Sequence, residues 1–190
     1  MKDLQKLTSI EERAYVVGWS NGARMAYRLL CNASYHLAGV VAFGATFQLD
    51  DHTCPMSTPV ALMHLHGEED PASPIEGGKG RNGHAAFQSR TGSPPPPLQS
   101  VRFVAQRNGC DAMSELEFRF GETFIRCTTL TDCRASATVA YCPISNLGHN
   151  WPGARGKNVF GPSRTDISGS QASLDFFALL RQSSAKSAAP

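Results

Sequence analysis

The chain has 190 residues, 41% of them hydrophobic and 18% charged, enough for one domain that hides roughly 70% of its unfolded surface. Eighteen Lys and Arg against 16 Asp and Glu give a formal net charge of +2 with no basic stripe, which argues against a nucleic-acid partner. No apolar run approaches the roughly 20 residues that cross a bilayer, so no membrane partner is expected, and the opening "MKDLQKLTSI" lacks the apolar stretch of a secretory leader.

Taken in chain order, "AYVVG" (residues 14–18) reads as a buried strand, and residues 23–30 as a helix with Met25, Ala26, Leu29 and Leu30 facing inward. "AGVVAFG" (38–44) and "PVALMHLHG" (59–67) are two further apolar runs rich in strand formers and bounded by turn formers. Residues 77–100 are rich in glycine and proline and read as a surface loop, with Pro94 to Pro97 in an extended polyproline conformation. "ATVAYCPI" (137–144) is a fourth strand, and "SQASLDFFALLRQ" (170–182) an amphipathic closing helix. Alternating strands and helices predict parallel strands in an α/β layer. One catalytic domain is expected over residues 1–182, with 183–190 a small, polar, disordered tail.

The junction of the first strand and helix carries the chemistry. Gly18-Trp19-Ser20-Asn21-Gly22 has the GxSxG pattern, in which a sharp strand-to-helix turn holds the serine in a strained conformation. The flanking glycines are expected because side chains there would collide with the strand and the helix. The turn exposes the Ser20 hydroxyl at the carboxyl edge of the sheet, beside the amino end of the helix. The backbone N–H of Asn21 then supplies one oxyanion donor.

A serine hydroxyl is a poor nucleophile until a base takes its proton. In this arrangement the chain order is Ser, then Asp or Glu, then His, each on a loop after a later strand. Asp70 follows the strand "VALMHLHG" and is held in a turn by Pro71; Glu68 and Glu69 are its close competitors. Among six histidines, His64 and His66 lie in or at the end of a strand and read as packing or hydrogen-bonding residues. His36, His52 and His84 precede the position expected for the base or lack a strand leading into them. His149, in "SNLGHNWPG", follows the last strand and precedes the final helix, where the base belongs.

Six cysteines, an even set crowded toward one end, suggest disulfides and an oxidising compartment. Metal binding is the weaker reading, since no CxxC pair and no nearby His pair stand at ligand spacing.

"GWSNGARMAYRLLC", "HLHGEEDPASPIEGG", "RNGC" and "GHNWPG" resemble the successive landmarks of the secreted poly(3-hydroxybutyrate) depolymerase and feruloyl esterase type of α/β-hydrolase. The likeness runs from about Glu11 to Trp151-Pro152-Gly153, leaving out the proline-rich loop. It implies an α/β-hydrolase fold, a mostly parallel sheet flanked by helices, with Ser20 as nucleophile, Asp70 as acid and His149 as base. It implies a serine esterase that needs no cofactor and acts on hydroxybutyrate polyesters or oligomers, or on feruloyl or acetyl esters of plant polysaccharide. Trp151 is a candidate for lining the substrate pocket or for closing the turn, and Trp19 is expected to be buried. The resemblance further implies an extracellular, disulfide-bonded protein, with pairs Cys110–Cys133 and Cys127–Cys142 and with Cys31–Cys54 as a candidate third, among the fifteen pairings that six cysteines allow.

Two departures stand out. The family's glycine pair after the serine and asparagine is here Gly22-Ala23, and Arg24 follows, a cation near the site. Only seventeen residues precede Gly18, so the earlier strands of the fold and the His-Gly loop that supplies a second oxyanion donor are expected to be missing. The nucleophile strand is then a sheet edge, and the alternative functions are an inactive fragment acting as a binding module, or a related peptidase or thioesterase.

Overall fold

The computed structural model describes residues 13–46, 54–80, 94–156 and 158–187. In chain order its main elements are β1 (Ala14–Trp19), α1 (Asn21–Asn32), β2 (Leu37–Phe43), β3 (Ala61–Gly67), α2 (Pro97–Asn108), β4 (Ala112–Phe120), β5 (Thr123–Thr131), β6 (Val139–Ile144) and α3 (Gly169–Ser187). The six strands form one sheet in the order β1-β2-β3-β6-β5-β4. β1, β2, β3 and β6 run parallel, while β5 and β4 add an antiparallel hairpin. With helices on its faces, this mixed sheet has the α/β-hydrolase fold. Among the described residues β1 is an outer strand, and none of the helices is long and apolar enough to cross a membrane.

Strand parity sorts the core into two layers, because successive side chains point to opposite faces. Val41, Phe43, Met63 and Leu65 pack under α3 through Ala172, Phe176, Phe177 and Leu180. Val40, Ala42, Leu62 and Val139 meet α1 and α2 through Ala26, Tyr27, Leu30, Val101, Val104 and Ala105. Parallel strands buried on both faces read as continuous apolar runs, which is why β2 and β3 stand out in the sequence.

Several elements differ from expectation. The inward face of α1 is Ala23, Ala26, Tyr27, Leu30 and Cys31, whereas Met25 is 59% exposed and Leu29 36%. Ala26 and Leu30 belong to both sets, but the inward face is turned toward Ala23, Tyr27 and Cys31, which pack against the sheet in place of Met25 and Leu29. The segment 77–100 is not a loop throughout. Pro97 opens α2 at a position where its missing N–H costs nothing, and Gly109, at φ 68°, closes it in the left-handed conformation. Residues 81–93 of that segment lie outside the described residues. Helix α3 continues past Gln182 to Ser187, with Ser183 Oγ bonding the Leu179 carbonyl at 3.0 Å; residues 188–190 lie outside the described residues.

Three disulfides join Cys31 to Cys54, Cys110 to Cys133 and Cys127 to Cys142. They suit an oxidising, extracellular setting.

Candidate active site

The parallel register sets the carboxyl ends of β1, β2, β3 and β6 side by side: Trp19 lies opposite Phe43, Phe43 opposite Leu65, and Gly67 opposite Ile144. The loops that follow β1, β3 and β6 therefore emerge along one edge, where α/β folds place their ligands. Ser20, Asp70 and His149 lie on those three loops.

Ser20 joins β1 to α1 with φ 55° and ψ −116°, a region that costs a non-glycine residue about 1–3 kcal/mol. Its N–H bonds the Phe43 carbonyl at 2.9 Å and its carbonyl accepts the Ala23 and Arg24 N–H groups, so sheet and helix hold the strained residue from both sides. The two glycines of the motif differ. A Cβ on Gly18 would fall 2.2 Å from the Gly22 carbonyl oxygen, whereas a Cβ on Gly22 would meet nothing within 4 Å. The expected collision thus applies to Gly18 alone, the residue over which the start of α1 passes.

Asp70 ends a short turn after β3. Its Oδ1 accepts the N–H groups of Ala72 at 2.8 Å and Ser73 at 2.7 Å, leaving Oδ2 for a different partner. That partner is His149 Nδ1, at 2.7 Å, and His149 Nε2 lies 2.7 Å from Ser20 Oγ. A carboxylate can only accept, so the ring proton sits on Nδ1, and the unprotonated Nε2 accepts from the serine hydroxyl. Asp70 and His149 are buried, while Glu68 and Glu69 point to solvent. Gly44, at φ +68°, brings bare backbone against this pair; a Cβ there would sit 3.3 Å from His149 Nδ1.

The His149 loop is braced by residues that sequence reading did not single out. His149 N–H bonds the Phe160 carbonyl at 2.6 Å, and the buried Asn150 amide donates to the Gly161 and Pro162 carbonyls at 3.0 and 3.1 Å. A polar residue directly after the histidine in "GHNWPG" was the available signal.

Ser20 and His149 open onto a cleft of about 400 Å³ whose described lining includes Trp19, Asn21, Arg24, Ala45, Ser73 and Phe160. Trp19 departs from the buried place expected of it, whereas the contacts of Trp151 agree with its turn-closing alternative. Trp19 is 43% exposed and its ring lies 5.8 Å from that of His149. Trp151 is outside the described lining; it packs edge-on against Phe43 at 5.9 Å and its Nε1 donates to Ser170 Oγ at 3.3 Å. Trp19 ends β1, an outer strand among the described residues, and its ring is left partly uncovered there.

Of the remaining histidines, His36 is exposed and His52 and His84 lie outside the described residues. His64 and His66 are fully buried and bonded to each other, His64 Nε2 to His66 Nδ1 at 3.1 Å. Burial holds both below the ordinary imidazole range, with the neighbouring histidine adding to the effect at His64 and Asp70 opposing it at His66. Among the described residues no group of three or more His, Cys, Asp or Glu could hold a metal ion.

The Phospholipase/Carboxylesterase family model matches residues 2–88, somewhat less than half of the 190 residues. The match supports an α/β-hydrolase of the carboxylesterase or phospholipase kind and covers the segment that carries Ser20 and Asp70. No curated protein matches the chain.

Proposed function

We propose that this α/β-hydrolase chain is a serine esterase in which Ser20, His149 and Asp70 act as nucleophile, base and orienting acid. The observation that carries the reading is the unbroken line from Ser20 Oγ to His149 Nε2 and from His149 Nδ1 to Asp70 Oδ2, 2.7 Å at each step, on a serine held at φ 55°.

His149 takes the Ser20 proton as Oγ attacks the ester carbonyl, and Asp70 steadies the imidazolium that forms. The Asn21 N–H, at the amino end of α1, faces the developing oxyanion. Collapse of the tetrahedral intermediate expels the alcohol, protonated by His149, and leaves an acyl-enzyme. Water activated by the same histidine then hydrolyses it. No cofactor enters any step.

The substrate is a carboxylic ester. Trp19 and Phe160 give the cleft an apolar wall for an acyl or phenolic group, and Arg24 brings a cation to the same cleft. That pairing suits an ester with an acidic end, such as a hydroxybutyrate oligomer, ahead of a neutral acetyl ester. An extracellular site of action accords with the three disulfides.

A fluorophosphonate probe tests the reading without knowledge of the natural ester. The wild-type chain should be labelled on Ser20, and Ser20→Ala and His149→Ala should each abolish labelling. A folded wild-type chain that resists the probe would overturn the proposal.

A further inference from the structure

Behind the acid turn lies a line of buried polar side chains that the ester chemistry does not use. Tyr27 Oη on α1 lies 2.8 Å from His64 Nδ1, His64 Nε2 3.1 Å from His66 Nδ1, and His66 Nε2 2.7 Å from the Ser73 carbonyl oxygen. Tyr27, His64 and His66 have no exposed surface. The two imidazoles stand two residues apart on β3, so they share a face and stack with ring centroids 5.4 Å apart.

The last group fixes the direction of every bond in the line. A carbonyl oxygen can only accept, so His66 carries its proton on Nε2 and leaves Nδ1 as an acceptor. His64 must then donate from Nε2 and accept at Nδ1, where the Tyr27 hydroxyl donates. All three groups are neutral and fully used. Burying such groups is costly where apolar side chains would serve for packing alone, so the place where the line ends matters.

It ends on the residue that holds Asp70. Ser73 donates its N–H to Asp70 Oδ1 and accepts His66 Nε2–H on its carbonyl, so it is gripped at both ends of one residue. The His66 ring also passes 3.9 Å from Asp70 Oδ2, beyond hydrogen-bond range, and leaves that oxygen to His149.

We propose that His66 is a positioning residue for Asp70: through Ser73 it keeps the acid turn aligned with His149, and Tyr27 and His64 fix the ring tautomer that allows it. This rests on the esterase reading for its catalytic consequence, but its structural content does not depend on turnover. Misplacing a reacting group by about 1 Å costs up to about a hundredfold in rate, which sets the scale of the effect.

The test compares His66→Leu, His66→Gln and Tyr27→Phe in the full chain, with two readouts. The first is the low-field ¹H NMR signal of the proton between His149 and Asp70. The second is the rate of fluorophosphonate labelling, together with kcat and KM for p-nitrophenyl butyrate. His66→Leu should broaden or shift the low-field signal and slow labelling about tenfold or more, with the loss in kcat and KM within about twofold. His66→Gln keeps an N–H in reach of the Ser73 carbonyl and should recover to within about threefold of wild type. Tyr27→Phe leaves His66 in place and should show about a threefold loss. A folded His66→Leu chain with the wild-type signal and labelling rate overturns the proposal. If that variant does not fold, an unchanged low-field signal in Tyr27→Phe overturns it instead. A wild-type chain that is not labelled, yet whose low-field signal responds to His66, would leave the positioning role standing and remove the esterase reading.

Discussion

At the residue scale, the GxSxG pattern contains one glycine required by space and one that is not. At Gly18 a methyl group would meet the Gly22 carbonyl oxygen at 2.2 Å and the Gly22 carbonyl carbon at 2.5 Å, both backbone atoms that move only if α1 moves. Gly18→Ala should therefore cost about 1–3 kcal/mol or more through overpacking and displace Ser20. Gly22 lies in the first turn of α1, exposed and with open space around it. Gly22→Ala should be neutral or stabilising by up to about 1 kcal/mol from helix propensity. Thermal unfolding and probe labelling of the two variants check this; equal losses in both would show that the pattern acts through something other than the space at Gly18. Motif glycines were legible as letters, but which of them is crowded depends on where the helix crosses the strand. The exposure of Trp19 likewise depends on its place at the end of β1, an outer strand among the described residues.

At the element scale, β3 carries the most information about pH. His64 faces Tyr27, Tyr141 and His66, and His66 faces Asp70, His149 and Glu76; burial is the leading cause that lowers both. In the unfolded chain each titrates near pH 6.5. Below that pH the unfolded state binds more protons than the native state, so stability must fall as the pH falls. The contribution is complete above about pH 6.5 and is lost on going down from there, at up to about 1.4 kcal/mol per pH unit for each histidine. Urea unfolding between pH 8 and pH 5 should show that decline, and His64→Gln should flatten it. A wild-type stability that is level over this range would contradict the neutral, buried pair. The buried parallel strands were readable as apolar runs, and β3 among them, although its two histidines gave no hint of a continuous line. Helix α2 was hidden behind its prolines, since Val101, Val104 and Ala105 carry a helical period that begins only where the proline run ends. The hairpin was readable in principle: Ile125, Cys127 and Thr129 alternate inward, and Gly121, at φ 76°, with Glu122 forms a two-residue connection.

At the scale of the whole molecule, the disulfides divide the labour of holding the parallel sheet and its antiparallel hairpin together. Cys127 and Cys142 are fully buried and staple β5 to β6, at the seam between the two halves of the sheet. Cys110 and Cys133 flank the hairpin and tie the end of α2 to the chain that leaves β5, and both are half-buried. Cys31–Cys54 fastens the end of α1 to the segment before β3, with Cys54 fully buried and Cys31 nearly so. A thiolate must reach a disulfide sulfur to open it, so access orders the reduction. In native buffer a mild thiol reductant should open Cys110–Cys133 first, and alkylation followed by peptide mass mapping should find Cys110 and Cys133 modified before the other four. Loop closure assigns each bridge about 3 kcal/mol in the chain-entropy account, so the singly reduced chain should unfold at a lower temperature. It should still react with the fluorophosphonate probe, because Ser20, Asp70 and His149 all follow strands of the parallel half. Modification of Cys127 and Cys142 ahead of the others, or loss of labelling with Cys110–Cys133 alone, would show that the hairpin supports the site more directly than its position at the far side of the sheet implies.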